Sequence, residues 1–261
     1  MTVFDQFQAR GWAVLPPEES VAAWSRAALA AGAGALADPV QRAEWLQCEG
    51  TWFVGVDALP NASDGSIDGV PLKGAFLCLT GPMPALHRAQ LSVTWPGYPK
   101  PRYGESDASF AYRRNRDAAH VDGLLPIGPT RQRQLREPHA FILGLPLTEC
   151  DPGASPLVVW SGSHKRMGMA LCNALAKVPE AERSTYDLTQ PYINARREVF
   201  EICPRHEISV APGGAIVLHR HLLHGIAPWR EGARAPAAGR QIAYFRPQFK
   251  TCQAWMNAEF V

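Results

Sequence analysis

Apolar positions along this chain follow two different periods. Over residues 4–15 a short helical pattern gives way at Gly11 to a strand-like run, and Gly11 suits a helix C-terminal turn. Pro16 and Pro17 end that strand. Residues 18–33 are alanine-rich, with Val21, Trp24, Ala28 and Leu29 spaced along one helical face. A further short helix is predicted over 39–46. From Thr51 the pattern changes to short apolar runs separated by clusters of Gly, Pro, Asn and Asp. Candidate strands are 51–56, 76–79, 89–95, 118–121, 140–146, 157–159, 206–210, 215–219 and 240–246. Residues 165–197 are mixed and partly helical, and read as an insertion over one face. Roughly 8–10 short strands joined by long loops favour a β-sandwich or jelly roll. The expected fold is therefore mainly β, with N-terminal helices packed on one sheet.

Size and composition narrow the picture without changing it. The 261 residues fit one domain of the larger kind. It divides into a helical N-terminal layer over 1–50 and a β core over 51–261 with an insertion around 165–200. Hydrophobic residues make up 46%, which argues against disorder. A net charge of +2 argues against a dedicated nucleic-acid or anionic-membrane surface. The first 30 residues carry no basic stretch ahead of an apolar run, and no segment reaches the roughly 18 apolar residues of a spanning helix. A soluble, cytoplasmic protein acting on a small molecule is the expectation; oligomeric state is left open. The six cysteines are scattered and form no Cys-x-x-Cys pair, so free, mostly buried thiols are expected.

The chemistry concentrates in two places. In His120-Val121-Asp122, residues two apart point to the same side of an extended segment, so His120 and Asp122 can grip one ion together. Far downstream, His219, His221 and His224 crowd one segment. Two imidazoles and one carboxylate form a facial ligand set that leaves three coordination positions open, the arrangement that suits non-heme Fe(II) and oxygen. Strand parity puts His219 and His221 on one face and His224 on the other, and does not choose the third ligand. Arg240 opens the apolar run Ile242-Ala243-Tyr244-Phe245 and is suited to hold an acidic co-substrate in bidentate fashion.

These blocks, in this order, resemble the phytanoyl-CoA dioxygenase family of Fe(II)- and 2-oxoglutarate-dependent oxygenases. The segment from Phe7 to Leu15 is similar to the family's N-terminal entry, and His120-Val121-Asp122 to its H-x-D metal motif. Pro146-Leu147-Thr148-Glu149 and the stretch from Val158 to Lys165, with Gly162-Ser163-His164, resemble its central block. Pro212-Gly213-Gly214 through His224-Gly225 resembles its second metal-ligand segment, and Arg240-Gln241-Ile242-Ala243-Tyr244 its arginine-bearing last core strand.

The resemblance implies a double-stranded β-helix, a cupin-like jelly roll. It implies Fe(II) on His120, Asp122 and His224, with His221 as the alternative third ligand. It further implies 2-oxoglutarate anchored by Arg240, O2 as oxidant, and oxidation of a substrate C–H bond. Related halogenases lack the carboxylate that Asp122 supplies, so hydroxylation or another oxidation is favoured. The chain departs from the family at three points. Arg240 lies sixteen residues after His224, longer than usual, and Arg234 fits the shorter spacing but sits in a loop. Ile226 stands where a hydroxyl residue is common, and Trp229 replaces an expected asparagine. His164 reads as structural. Arg113, Arg114 and Arg116 read as a solvated charge run, with a role at the site mouth as the alternative. Arg246 shares the inward parity of Arg240 and Tyr244 and is a candidate substrate contact. Rival readings are a cupin-like metalloenzyme using Zn or Mn without a keto acid, and a non-catalytic small-molecule-binding barrel.

Overall fold

The N-terminal helix α1 (Val3–Arg10) begins with a capping box, in which Thr2 and Asp5 satisfy each other's backbone N–H groups, and stops at Gly11 (φ 80°). The computed structural model describes residues 2–257. After α1 come β1 (Trp12–Leu15), α2 (Glu19–Ala37), α3 (Pro39–Trp45), β2 (Leu46–Gln47) and β3 (Trp52–Phe53). A helical turn α4 (Leu77–Thr80), β4 (Gln90–Thr94), α5 (Asp107–Asn115), β5 (Leu124–Ile127) and β6 (Gln132–Leu135) follow. Next are β7 (Phe141–Pro146), β8 (Leu157–Trp160), α6 (Ser163–Leu175), a 3-10 segment (Glu180–Thr185) and α7 (Thr189–Ile202). The chain closes with β9 (Arg205–Ile208), β10 (Ala215–His219), β11 (His224–Ile226), β12 (Arg240–Phe245) and α8 (Cys252–Asn257).

The strands form a seven-stranded sheet in the order β1-β10-β7-β12-β4-β3-β2, a three-stranded sheet β11-β8-β9, and the hairpin β5-β6. All pairings are antiparallel. Side-chain alternation then sorts the core into three layers. Leu143, Val217, Ala243 and Phe245 leave the outer face of the large sheet and pack on Phe7, Val21 and Trp24 of α1 and α2. Ile142, Ile216 and Leu218 point inward, where they meet Leu157 and Val159 of the small sheet. Val158 and Trp160 leave the outer face of the small sheet and pack on Met167, Leu171 and Val199 of α6 and α7. Strands β7 and β8 are covered on both faces, which is why they read as unbroken apolar runs rather than alternating ones. The result is a double-stranded β-helix with the N-terminal helices on the large sheet and the 163–202 helices on the small one.

Several expected strands take other forms. Residues 76–79 fold into α4, ended by Gly81 (φ 65°), whose N–H bonds the Leu77 carbonyl. So short an apolar run fits either structure, and burial of Phe76 and Leu79 decided it. The 51–56 run shrinks to β3, because Gly55 turns to φ 48° against the Leu91 carbonyl. Residues 118–121 are not a strand: Asp117 (φ 52°) and Ala118 (φ 54°) break the chain, and only His120 pairs, through an isolated bridge to His224. Helix α5, the β5-β6 hairpin and β11 have no counterpart among the expected elements. The six thiols are free, but only Cys48 and Cys252 are buried and Cys78 is exposed. Among the described residues no helix is long and apolar enough to cross a membrane.

Candidate metal centre

The His120–His224 bridge is the structural root of the site. His120 N–H donates to the His224 carbonyl (2.8 Å) and His224 N–H to the His120 carbonyl (3.0 Å), so the two imidazoles leave the same side of one narrow ladder. Their ring centroids lie 4.6 Å apart. Each Nδ1 is hydrogen-bonded to the carbonyl two residues earlier, Ala118 for His120 and Leu222 for His224, both at 2.9 Å. A carbonyl only accepts, so each Nδ1 carries a proton, and Nε2 is the ring nitrogen of each that faces the cluster. Asp122 follows His120 by two residues. Its Oδ1 lies 3.1 Å from His120 Nε2 and 3.8 Å from His224 Nε2. One donor atom from each of the three lies within 4.8 Å of the others. Among the described residues this is the one such cluster.

The second oxygen of Asp122 faces Arg246, with Nη1 at 3.5 Å. Burial alone would push the Asp122 carboxyl upward. The His120 ring against its Oδ1, the Arg246 guanidinium and the His224 ring together outweigh it and hold the group well below the usual carboxylate range. Burial, reinforced by the neighbouring His120, drives His224 down to about 4 against the opposing pull of Asp122 and the Leu222 carbonyl. A neutral His224 imidazole and an ionised Asp122 carboxylate are the states in which these groups can bind a divalent cation. The His120 side chain is 41% exposed, against 8% for His224, so the cluster opens to solvent on the His120 side.

A cavity of about 170 Å3 adjoins the cluster. Ile142, Leu157, Leu218 and Ile226 form apolar walls, and Trp52 and Tyr98 close one side. Tyr244 crosses the interior opposite Gly144 of the paired strand; a β-carbon on Gly144 would stand 2.9 Å from the tyrosine ring.

The expected residues separate clearly. His221 lies away from the cluster, buried edge-on against Trp255 (ring centroids 4.2 Å) and tilted against His219 (5.0 Å), while His224 lies within it. Arg234 is exposed and pairs with Asp151 (3.4 Å). Arg240 is buried at the start of β12, lines a crevice with Thr148 and Cys150, and hydrogen-bonds Tyr244, which in turn lines the cavity. Arg240 itself is not on the cavity wall. Arg246 is. Arg113 is held by Glu105 (2.7 Å) and Arg116 stacks over Phe200 (4.6 Å); neither they nor Arg114 line the cavity. His164 bonds the Gln8 carbonyl (3.2 Å) and stacks on His219 (4.9 Å), a packing role between α1 and α6. Ile226 contributes an apolar wall, and Trp229 donates to the Ala233 carbonyl (3.2 Å). Sequence reasoning missed Tyr98, Gln90 and Ser92 as cavity residues. The alternating polar positions of β4 (Gln90, Ser92, Thr94) between Leu91 and Val93 were the available signal for the latter two.

No protein-family model matches the chain, and no curated protein matches it. Solved structures do. The non-heme α-ketoglutarate-dependent carbocyclase SnoK from nogalamycin biosynthesis superposes with a TM-score of 0.51 at 14% identity, covering 97% of this chain and 87% of its own. AviO1 from Streptomyces viridochromogenes Tue57 gives 0.45 at 15% identity, covering 95% of each chain. EctD from S. alaskensis, solved with bound Fe, gives 0.46 at 16% identity, covering 93% of this chain and 74% of its own. The likeness to SnoK is one of fold, and it agrees with the strand order described above: this chain has a cupin-like double-stranded β-helix.

Proposed function

We propose that this protein is a non-heme Fe(II)- and 2-oxoglutarate-dependent oxygenase that oxidises a C–H bond of a small molecule. The observation that carries this reading is the convergence of His120 Nε2, His224 Nε2 and an Asp122 oxygen at the edge of a mostly apolar cavity. Two imidazoles and one carboxylate are the donor set that would hold such an iron while leaving it room for the keto acid and oxygen. Bound there, iron with 2-oxoglutarate and O2 supplies the oxidising power, with succinate and carbon dioxide as co-products.

The protein's own residues bind, orient and shield. The Ala118 and Leu222 carbonyls occupy each Nδ1, so Nε2 of each ring is the nitrogen that would hold the ion. Arg246 engages the outer oxygen of Asp122 and leaves the inner one for the metal. Arg240 is our candidate for the far carboxylate of 2-oxoglutarate, held as a fork with Tyr244 setting its orientation. Ile142, Leu157 and Leu218 keep bulk water from the reacting centre.

The test is succinate formation from 2-oxoglutarate with Fe(II) and O2, together with thermal stability of the Mn(II)-loaded protein. Wild type is expected to form succinate, and 2-oxoglutarate to raise its Tm by several degrees; Asp122→Ala and His224→Ala should lose both responses. Metal binding without any response to 2-oxoglutarate would overturn the proposal in favour of a keto-acid-free metalloenzyme.

A further inference from the structure

We propose that Arg246 is the docking point for the substrate, and that the substrate is a small, mostly apolar molecule bearing one carboxylate or similar singly charged acid. The inference rests on the oxygenase reading of the same site. Arg246 and Asp122 are the two fully charged side chains that line the cavity among the described residues. The guanidinium is underused. Its Nη1 makes one long contact to Asp122 (3.5 Å), and its buried Nε has no hydrogen-bond partner. A guanidinium offers five N–H donors in a fixed fork, and buried donors left unpaired are costly. A carboxylate entering the cavity would satisfy them in bidentate geometry.

The residue is also held ready. Its backbone carbonyl is hydrogen-bonded by His139 Nδ1 and His87 Nε2, each at 3.1 Å. Those rings are anchored in turn by Glu137 (3.2 Å) and Asp57 (2.9 Å). The root of the side chain is thereby pinned from two directions, which lowers the ordering cost of ligand capture.

Arg246 is placed for a second anion rather than for the keto acid. It lies six residues from Arg240, just past the end of β12 and in the same inward parity, so their backbones are roughly 20 Å apart. Arg240 lines a separate crevice, whereas Arg246 lines the cavity beside the metal ligand Asp122. A divalent ion on the triad would draw the Asp122 charge toward itself and release Arg246 from its one counter-ion. With a dianionic keto acid on Arg240, the loaded cavity keeps a net charge of about +1, the complement of a single acid group. The walls set the rest of the ligand: Ile142, Leu157 and Leu218 suit an apolar body, and about 170 Å3 keeps it small.

Calorimetric titration of the Mn(II)- and 2-oxoglutarate-loaded protein tests this with a matched pair, cyclohexanecarboxylate and its neutral amide. The acid is expected to bind at least about 10-fold more tightly than the amide, the scale of a charge-assisted hydrogen bond. Arg246→Gln should erase that preference, and Arg246→Lys should keep part of it. Equal binding of acid and amide, binding of neither, or a preference that survives Arg246→Gln overturns the proposal. Loss of 2-oxoglutarate binding in Arg246→Gln with Mn(II) affinity unchanged would also overturn it, by giving the residue to the keto acid. Failure of wild type to bind 2-oxoglutarate at all is the separate signature that the oxygenase reading itself is wrong, and this inference falls with it.

Discussion

The carbonyl oxygen of Asp117 stands 2.1 Å from where a β-carbon on Gly225 would be. The same oxygen accepts from Ile226 N–H at 2.7 Å, one residue further on. Glycine directly after His224 is thus the residue that lets the 117–120 segment lie against β11 and brings His120 to its partner. Gly225→Ala should force the two backbones apart and cost about 1–3 kcal/mol of stability. Divalent-metal affinity, measured by calorimetry, should fall with it; a variant that unfolds like wild type and binds metal equally well would contradict this account.

His224 and His221 are separable by experiment. His224→Ala should weaken Mn(II) binding by more than about 100-fold, beyond the loss caused by removing an outer-sphere partner. His221→Ala leaves a hole beside Trp255 and should cost about 2 kcal/mol or more of stability. Its metal affinity should stay close to wild type. Reversed effects would return the third ligand to His221.

The two arginines proposed for the co-substrate differ in the same way. Arg234 is solvent-exposed in its pair with Asp151, so Arg234→Ala should change the KM for 2-oxoglutarate by less than about three-fold. Arg240→Gln removes a buried fork and should raise it by about 10- to 100-fold. Comparable KM values for the two variants would count against Arg240 as the anchor.

Acid should unfold this protein from an unusual starting point. Burial drives His164 down to about 4, with Lys165 adding to the fall and the Gln8 carbonyl opposing it. Burial, with the charge of Arg220, also pushes His219 and His221 far down. All three stay neutral in the folded chain but take up protons near pH 6.5 once unfolded. The unfolded state therefore binds more protons below that value, and stability falls as pH drops from about 6.5 toward about 4. The slope is up to about 1.4 kcal/mol per pH unit for each histidine. A series of Tm measurements from pH 7 to 5 should show a steep decline, shallower in His164→Gln. A flat profile over that interval would show that these rings are not held neutral.

Much of the scaffold was readable from the chain because burial on both sides leaves an unbroken apolar run. Residues 141–146 and 157–160 are of that kind, and they became β7 and β8. The start and stop of α1 were local signals as well, a terminal glycine among them. Elements of three or four residues without alternation, such as β11 and β6, owe their strand character to a neighbour and could not be read. Helix α5 has no buried residue and so no apolar stripe to betray it. At the site, the His120–Asp122 pair was legible as a two-residue spacing. The choice among three downstream histidines was not, since it depends on which of them meets His120 across the bridge. Arg246 was visible as a matter of parity, but its unsatisfied Nε and its two-histidine anchor are properties of the folded chain alone.

Three backbone hydrogen bonds join the 117–122 segment to the strand carrying His224, two in the His120–His224 bridge and one from Ile226 N–H to the Asp117 carbonyl. That seam is a narrow weld, and an ion held across it would act as a rivet. Amide hydrogens at 120 and 224 should then exchange slowly in the metal-loaded protein and quickly without metal, so that the barrel breathes open where its cargo enters.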